Sequence, residues 1–139
     1  MNSFKNLLIL LILLAGTSSL QAQVIGEWTD YQSYASAKNV VDAGDMVYCV
    51  TEGGLFSYSK TDNSIQKMSG ISGLSDVGVQ RLAYSKENGL LLIAYKNANI
   101  DLLIGNTIFN LSDIKRKQIS ADKTINSIMF SGKLAYLSC

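Results

Sequence analysis

The chain alternates short apolar runs with polar breaks rich in glycine and asparagine, and the runs recur at a fixed spacing. Leu90–Tyr95 (LLLIAY) and Ile100–Ile104 (IDLLI) flank the polar stretch Lys96-Asn97-Ala98-Asn99. About 44 residues upstream, Met46-Val47-Tyr48 stands in the place of Leu90-Leu91-Leu92, and about 44 residues downstream stands Leu134-Ala135-Tyr136. The preceding turns align as well: Gly44-Asp45, Asn88-Gly89 and Gly132-Lys133. These runs are too short, and too often interrupted by Gly and Asn, to carry the three-and-four spacing of an amphipathic helix. Their β-branched residues and tyrosines suit strands. One hairpin repeated with a period in the low forties predicts the blades of a β-propeller.

Each blade can be read strand by strand. The first takes Asn39–Asp42, Met46–Thr51, Leu55–Ser59 and Ser64–Ser69; the second takes Gln80–Ser85, Leu90–Tyr95, Ile100–Ile104 and Thr107–Ser112. A third opens with Thr124–Phe130 and Leu134–Cys139. The second strand of each blade is apolar without alternation, as expected for a strand flanked on both edges and covered on both faces. The fourth is half polar, as expected at a rim. Asn88-Gly89 predicts a type I′ turn, because both residues accept positive φ. Val24–Ala37, with Trp28, Tyr31 and Tyr34, reads as a lead-in or as a strand that closes a ring. The expected fold is all-β: about two and a half four-stranded antiparallel blades. Propellers close with four to eight blades, so the chain reads as the N-terminal part of a longer protein.

The first residues follow a different logic. Met1–Lys5 carries one positive charge, Leu7–Ala15 is an unbroken apolar run, and Gly16–Ser19 breaks it before Leu20-Gln21-Ala22-Gln23. That order is a secretory signal peptide with cleavage after Ala22. A spanning helix needs roughly 20 apolar residues, and this run is too short. The expected division is therefore a signal peptide over 1–22 and an incomplete propeller over 23–139. The mature chain is expected to work outside the cytoplasm.

Charge and composition narrow the chemistry. The formal net charge is +1, from 12 basic and 11 acidic residues, and one of the basic ones is Lys5 of the leader. The remainder is balanced, which argues against nucleic acid as a partner. With no histidine in the chain, a Ser-His-Asp triad, a Cys-His pair and histidine metal ligation are absent. Asp45, Asp62, Glu87 and Asp113 fall in turns, where a carboxylate ordinarily serves the backbone. Asp42 and Asp45 lack the spacing of a calcium loop. Ser69–Val79 is glycine-rich but lacks a Gly-Lys-Ser/Thr ending and precedes a strand, so it reads as a connection between blades. Cys49 and Cys139 lie two blades apart and are not expected to pair; a small buried role suits Cys49. Asn110-Leu111-Ser112 is a formal glycosylation sequon. No catalytic, cofactor or metal residue emerges, and the chain reads as a non-enzyme. The basic cluster within Asp113–Lys117 leaves Lys115, Arg116 and Lys117 as candidates for contact with an anionic group, against the plainer reading of a solvated loop.

Gly73-Leu74-Ser75, Val79, Leu82-Ala83-Tyr84, Asn88-Gly89 and Leu92-Ile93-Ala94 resemble the repeat of two-component-regulator-type propellers. A longer likeness runs through Gly26-Glu27-Trp28, Ala37–Val40, Gly54–Tyr58, Gly73–Gly78, Leu91–Leu103, Ser112–Lys117 and Ala135-Tyr136-Leu137. Together these resemble the N-terminal propeller of the PorZ family of the Bacteroidetes type IX secretion system. The resemblance implies two propellers followed by a C-terminal sorting domain. It also implies a role with the sortase-like signal peptidase, attaching secreted cargo to anionic lipopolysaccharide at the outer membrane after passage through the periplasm. The regulator-type repeat keeps a second function open: the sensor propeller of a membrane-bound two-component regulator binding a glycan fragment.

Overall fold

The computed structural model describes residues 33–139, so the expected signal peptide and the lead-in up to residue 32 lie outside the described residues. Strands β1 (Ala37–Asp42), β2 (Met46–Thr51), β3 (Leu55–Ser59) and β4 (Ile65–Met68) form one antiparallel sheet in chain order. Strands β5 (Val79–Ser85), β6 (Leu90–Tyr95), β7 (Ile100–Ile104) and β8 (Thr107–Leu111) form a second. Strands β9 (Ser127–Ser131) and β10 (Leu134–Ser138) form a two-stranded third. This is the expected arrangement of two four-stranded blades and part of another, with innermost strands β1, β5 and β9 side by side.

The unbroken apolarity of β6 follows from its position. Successive side chains on a strand point to opposite faces. Leu91, Ile93 and Tyr95 enter one core with Val50, Leu55, Met68 and Leu82, between the first and second blades. Leu92 and Ala94 enter the other with Ile100 and Ile125, packed by Ile128, Phe130 and Leu137 of the third sheet. Both faces of the second blade are therefore covered, whereas the outermost β8 is mostly exposed.

The innermost strands are fastened to each other by side chains that a bulge re-aims. Pairing shifts register between Ala37 and Asn39 in β1, and between Val79 and Arg81 in β5. A bulge bends its strand and turns the neighbouring side chain. Just past the first, Asn39 Oδ1 accepts the Leu82 N–H at 2.8 Å. Just past the second, Arg81 Nε donates to the Asn126 carbonyl at 2.9 Å, and Gln80 Nε2 from the bulge donates to the Ile125 carbonyl at 3.3 Å.

Two local expectations need correction. The Asn88-Gly89 turn is not type I′, because only Gly89 has positive φ (58°). Ser85 pairs with Leu90, leaving the four-residue loop 86–89 that the expected strand bounds imply, too long for a two-residue type I′ connection. Longer loops are built on an ordinary turn, with a left-handed glycine at the end. Asn88 instead uses its N–H and its side-chain amide to bond the Ser85 hydroxyl at 3.3 and 2.9 Å. Second, β9 begins at Ser127 and not Thr124, because Asp122 Oδ1 accepts both the Thr124 N–H and hydroxyl, holding a turn there. The connection after β4 joins the two blades as expected and contains a 3-10 turn over Gly70–Ser72, held by reciprocal bonds between Ser69 and Ser72. Cys49 is a buried free thiol and Cys139 an exposed one.

Candidate functional site

The connections gather at two ends of the sheets. One end carries the β2–β3 turn, the Lys96–Asn99 turn and the two blade-to-blade connections, residues 69–78 and 112–126. The other carries the tight turns at 43–45, 60–64, 86–89, 105–106 and 132–133. Polar chemistry concentrates at the first end.

Its centre is Asp76, in the connection from the first blade to the second. Three donors from two separate segments converge on its Oδ2: Lys115 Nζ at 2.6 Å, Asn97 Nδ2 at 2.6 Å and Asn99 Nδ2 at 3.4 Å. Its Oδ1 accepts the Val77 N–H at 3.0 Å. The carboxyl is accordingly held down at about 2, by the Lys115 bond first and the Asn97 bond next, against the opposing effect of burial. Asp76 is only 16% exposed in its side chain, and Lys115 is 41% exposed.

Beneath Asp76 lies a fully buried aspartate. Asp101 sits in β7, in an otherwise apolar run, and is closed off from solvent. Its Oδ2 accepts the Ser75 N–H at 2.8 Å and the Tyr95 hydroxyl at 2.5 Å; its Oδ1 accepts Asn110 Nδ2 at 2.8 Å. Asn110 Nδ2 also reaches Asn99 Oδ1 at 3.0 Å, which joins this buried layer to the Asp76 layer. Burial, and then the adjoining Asp101, push the Tyr95 phenol well above its ordinary pKa. Among the described residues no buried side-chain polar atom is left without a partner. A buried network satisfied in this way makes the end of the second blade rigid.

The basic cluster predicted from sequence sits against this network and divides in two. Asp113–Arg116 forms a single helical turn, α1, with no buried residue. Lys115 is committed to Asp76. Arg116 is exposed, 3.9 Å from Asp113, and Lys117 follows it in extended backbone. Lys123, which sequence reasoning did not single out, donates from Nζ to the carbonyls of Lys115 (2.8 Å) and Lys117 (3.0 Å) and so curls the segment. The curl encloses an open depression of about 490 Å³, lined by Lys115, Arg116, Lys117, Gln118, Ser120 and Lys123 among others. Asp76, Asn97, Asn99, Asp101 and Asn110 were also missed. The available signals were Asp101 inside an apolar strand and the doubled asparagines of the turn before it.

Asp42 and Asp62 serve local structure. Asp42 accepts the Gly44 N–H at 3.0 Å and pairs with Lys60 at 2.8 Å, which lowers its pKa, the Lys60 bond contributing most. Asp62 accepts the Ser64 N–H and hydroxyl at 3.2 and 2.8 Å. Among the described residues no group of three or more histidines, cysteines or carboxylates is placed to hold a metal ion. The Asn110 amide of the formal sequon is occupied by the three acceptors Asn99, Ile100 and Asp101. A second cavity, of about 580 Å³, lies in the crevice between the first two blades, with Tyr48, Tyr84, Met46 and Met68 in its walls.

The domain family described as "TSS9, PorZ, N-terminal beta-propeller domain" matches residues 47–139. A solved structure matches with a TM-score of 0.76 and 31% identity, covering 81% of this chain and 15% of the other. It is described as PorZ, an essential bacterial surface component of the type-IX secretion system of human oral-microbiomic Porphyromonas gingivalis. This chain thus spans 15% of the length of the protein it resembles. No curated protein matches it. The order of strands, the blade period and the matched residues together place the chain in the family of PorZ N-terminal β-propeller domains.

Proposed function

We propose that this domain is a non-enzymatic, exported building block of a type IX secretion and surface-attachment complex. It acts by docking other proteins of that machinery, including a sortase-like signal peptidase, and by contacting anionic lipopolysaccharide. The signal peptide over 1–22 delivers the mature chain, from residue 23, to the periplasm and then to the outer membrane and cell surface. Membership of the PorZ propeller family supports the secretion role. The lipopolysaccharide contact rests on one observation: the depression bounded by residues 115–123, where Arg116 and Lys117 face solvent beside a rigid hydrogen-bonded floor. Guanidinium and ammonium groups exposed in this way suit phosphate or uronate oxygens.

The test is Arg116→Ser combined with Lys117→Ser in the full-length protein, with binding to purified anionic lipopolysaccharide measured at several salt concentrations. The pair leaves Lys115 on Asp76, so the floor stays intact. Exposed charge contacts are worth up to about 1 kcal/mol each, so a loss on the order of tenfold is expected at low salt. The loss should shrink as the Debye length falls to about 8 Å at physiological ionic strength. Unchanged binding at low ionic strength would return the cluster to a solvated surface. Adding Lys115→Ser should weaken binding further, by disturbing the floor as well.

A further inference from the structure

The Asn88-Gly89 pair carries a chemistry that its turn does not use. Asn88 is the one asparagine of the chain followed by glycine. An asparagine carboxamide is open to attack by the main-chain nitrogen of the next residue, and glycine brings no Cβ to crowd that nitrogen. The structure leaves the pair accessible. Gly89 is exposed and Asn88 half-buried, in the loop 86–89 between β5 and β6. A Cβ built at Gly89 would meet nothing within 4 Å, and the Gly89 N–H is bonded to no other group among the described residues. Other asparagines are both tied down and followed by a residue with a Cβ. Asn63 Oδ1 accepts the Tyr58 hydroxyl at 2.5 Å, Asn97 is held between Asp76 and the Asn99 N–H, and Asn110 reaches three acceptors.

We propose that Asn88-Gly89 is a site of spontaneous covalent modification, with water as its co-reactant, and that the Ser85 hydroxyl sets its rate. The Gly89 nitrogen bonds to Asn88 Cγ and the Cγ–Nδ2 bond breaks. The proton from the Gly89 N–H leaves with Nδ2 as ammonia, and a cyclic imide remains. Water then opens the imide at one carbonyl or the other, giving aspartate or isoaspartate. Ser85, buried at the end of β5, opposes the first step. Its hydroxyl accepts Asn88 Nδ2 at 2.9 Å and the Asn88 N–H at 3.3 Å. These bonds draw the carboxamide back toward residue 85, whereas the attacking nitrogen lies on the other side, in residue 89. Isoaspartate would add one atom to the main chain of the β5–β6 turn, and either product would place a second carboxylate beside Glu87. Glu87 Oε2 lies 3.9 Å from where a Cβ on Gly132 would stand, so the change falls next to the turn of the third sheet. This inference stands apart from the proposed function, since it concerns the end of the sheets opposite the basic depression.

The full-length protein is incubated at mildly alkaline pH in water enriched in oxygen-18, and peptides are followed by mass spectrometry. Heavy oxygen should enter at Asn88 before any other described asparagine. Ser85→Ala should speed its entry several-fold, with hydrogen exchange over Leu90–Tyr95 unchanged. Gly89→Ala, which keeps the Ser85 bonds and crowds the nitrogen, should slow it several-fold. Label entering first at another described asparagine would overturn the proposal, as would a rate indifferent to Gly89→Ala. An unchanged rate in Ser85→Ala, or a faster one accompanied by raised exchange throughout β6, would overturn the role given to Ser85.

Discussion

Replacing Asp76 by asparagine should loosen two connections at once. The carboxylate gathers Lys115, Asn97 and Asn99 on one oxygen and holds Val77 with the other. A carboxyl held at about 2, against an ordinary aspartate value of 3.8, favours the charged form by about 2 kcal/mol, at roughly 1.4 kcal/mol per tenfold change in the proton equilibrium. Lys115 is two-fifths exposed, and solvent screens a pair of that kind, so about 1–2 kcal/mol is the usable figure. The folded value lies below the unfolded one. The contribution is therefore complete above about pH 4 and is lost as pH falls from 3.8 through about 2.

Hydrogen exchange followed by mass spectrometry reads this locally. The amides to watch are Val77, bonded to Asp76 itself, Lys96, bonded to the Gly78 carbonyl, and Asn99, bonded to Asn97 Oδ1. At neutral pH, Asp76→Asn should lower protection of peptides over 74–79 and 95–100 by roughly five- to thirty-fold, the range that 1–2 kcal/mol corresponds to. Peptides over the turn at 60–64, at the opposite end of the sheets, should be unchanged. In the unsubstituted protein the same loss should set in on acidification below about pH 4, after correction for intrinsic exchange. Protection within twofold of the parent at neutral pH would refute the view that Asp76 is the hub of this end.

Asp101→Leu should be far more damaging, on the order of 3–5 kcal/mol, because it strands the Ser75 N–H and the Tyr95 hydroxyl in a dry core; denaturant unfolding followed by near-ultraviolet circular dichroism would measure it. The exported protein should begin at Gln23, give or take a residue, and mass spectrometry finding residues 1–22 still attached would contradict the leader reading. The polypeptide 23–139 made alone should self-associate: β10 pairs only with β9 among the described residues, and Leu134 and Tyr136 are exposed along it without an intervening charge. Light scattering showing a monodisperse monomer would refute that, since an unguarded edge invites a second chain.

The architecture was legible because strands announce themselves by burial. Leu90–Tyr95 is apolar on both faces because blades flank it on both sides, and the 44-residue register repeats wherever that environment repeats. The edges of the elements were less legible, for a local reason. Asn88-Gly89 carries the composition of a tight hairpin, but the pairing of Ser85 with Leu90 sets the loop length, and loop length decides which turn forms. Likewise Gly73 and its neighbours spell a connection between blades, and within it Ser69 and Ser72 cap a short turn whose reciprocal bonds no apolar pattern predicts.

The candidate site was legible only in part, and the missing part changes its chemistry. Three adjacent cations at 115–117 suggest one patch of charge. Asp76, 39 residues earlier in the chain, removes one of them by ion pairing, and Lys123 spends its ammonium on two backbone carbonyls instead of on solvent. Asp76 is far from the cluster in sequence, and Lys123, six residues past Lys117, bonds backbone carbonyls and not charges, so neither could be inferred from charge spacing. What remains for an anion is Arg116 and Lys117 on a short curled segment, fixed from behind by Lys115 and from the side by Lys123. That division has a consequence for mutagenesis. Removing Lys115 or Lys123 should reduce anion binding through geometry and should also raise exchange at Val77 or within 113–118. Removing Arg116 or Lys117 should reduce binding with no change in exchange. If all four substitutions lowered binding equally and left exchange untouched, the segment would act as unstructured charge, and the floor built on Asp76 and Asp101 would have no part in recognition.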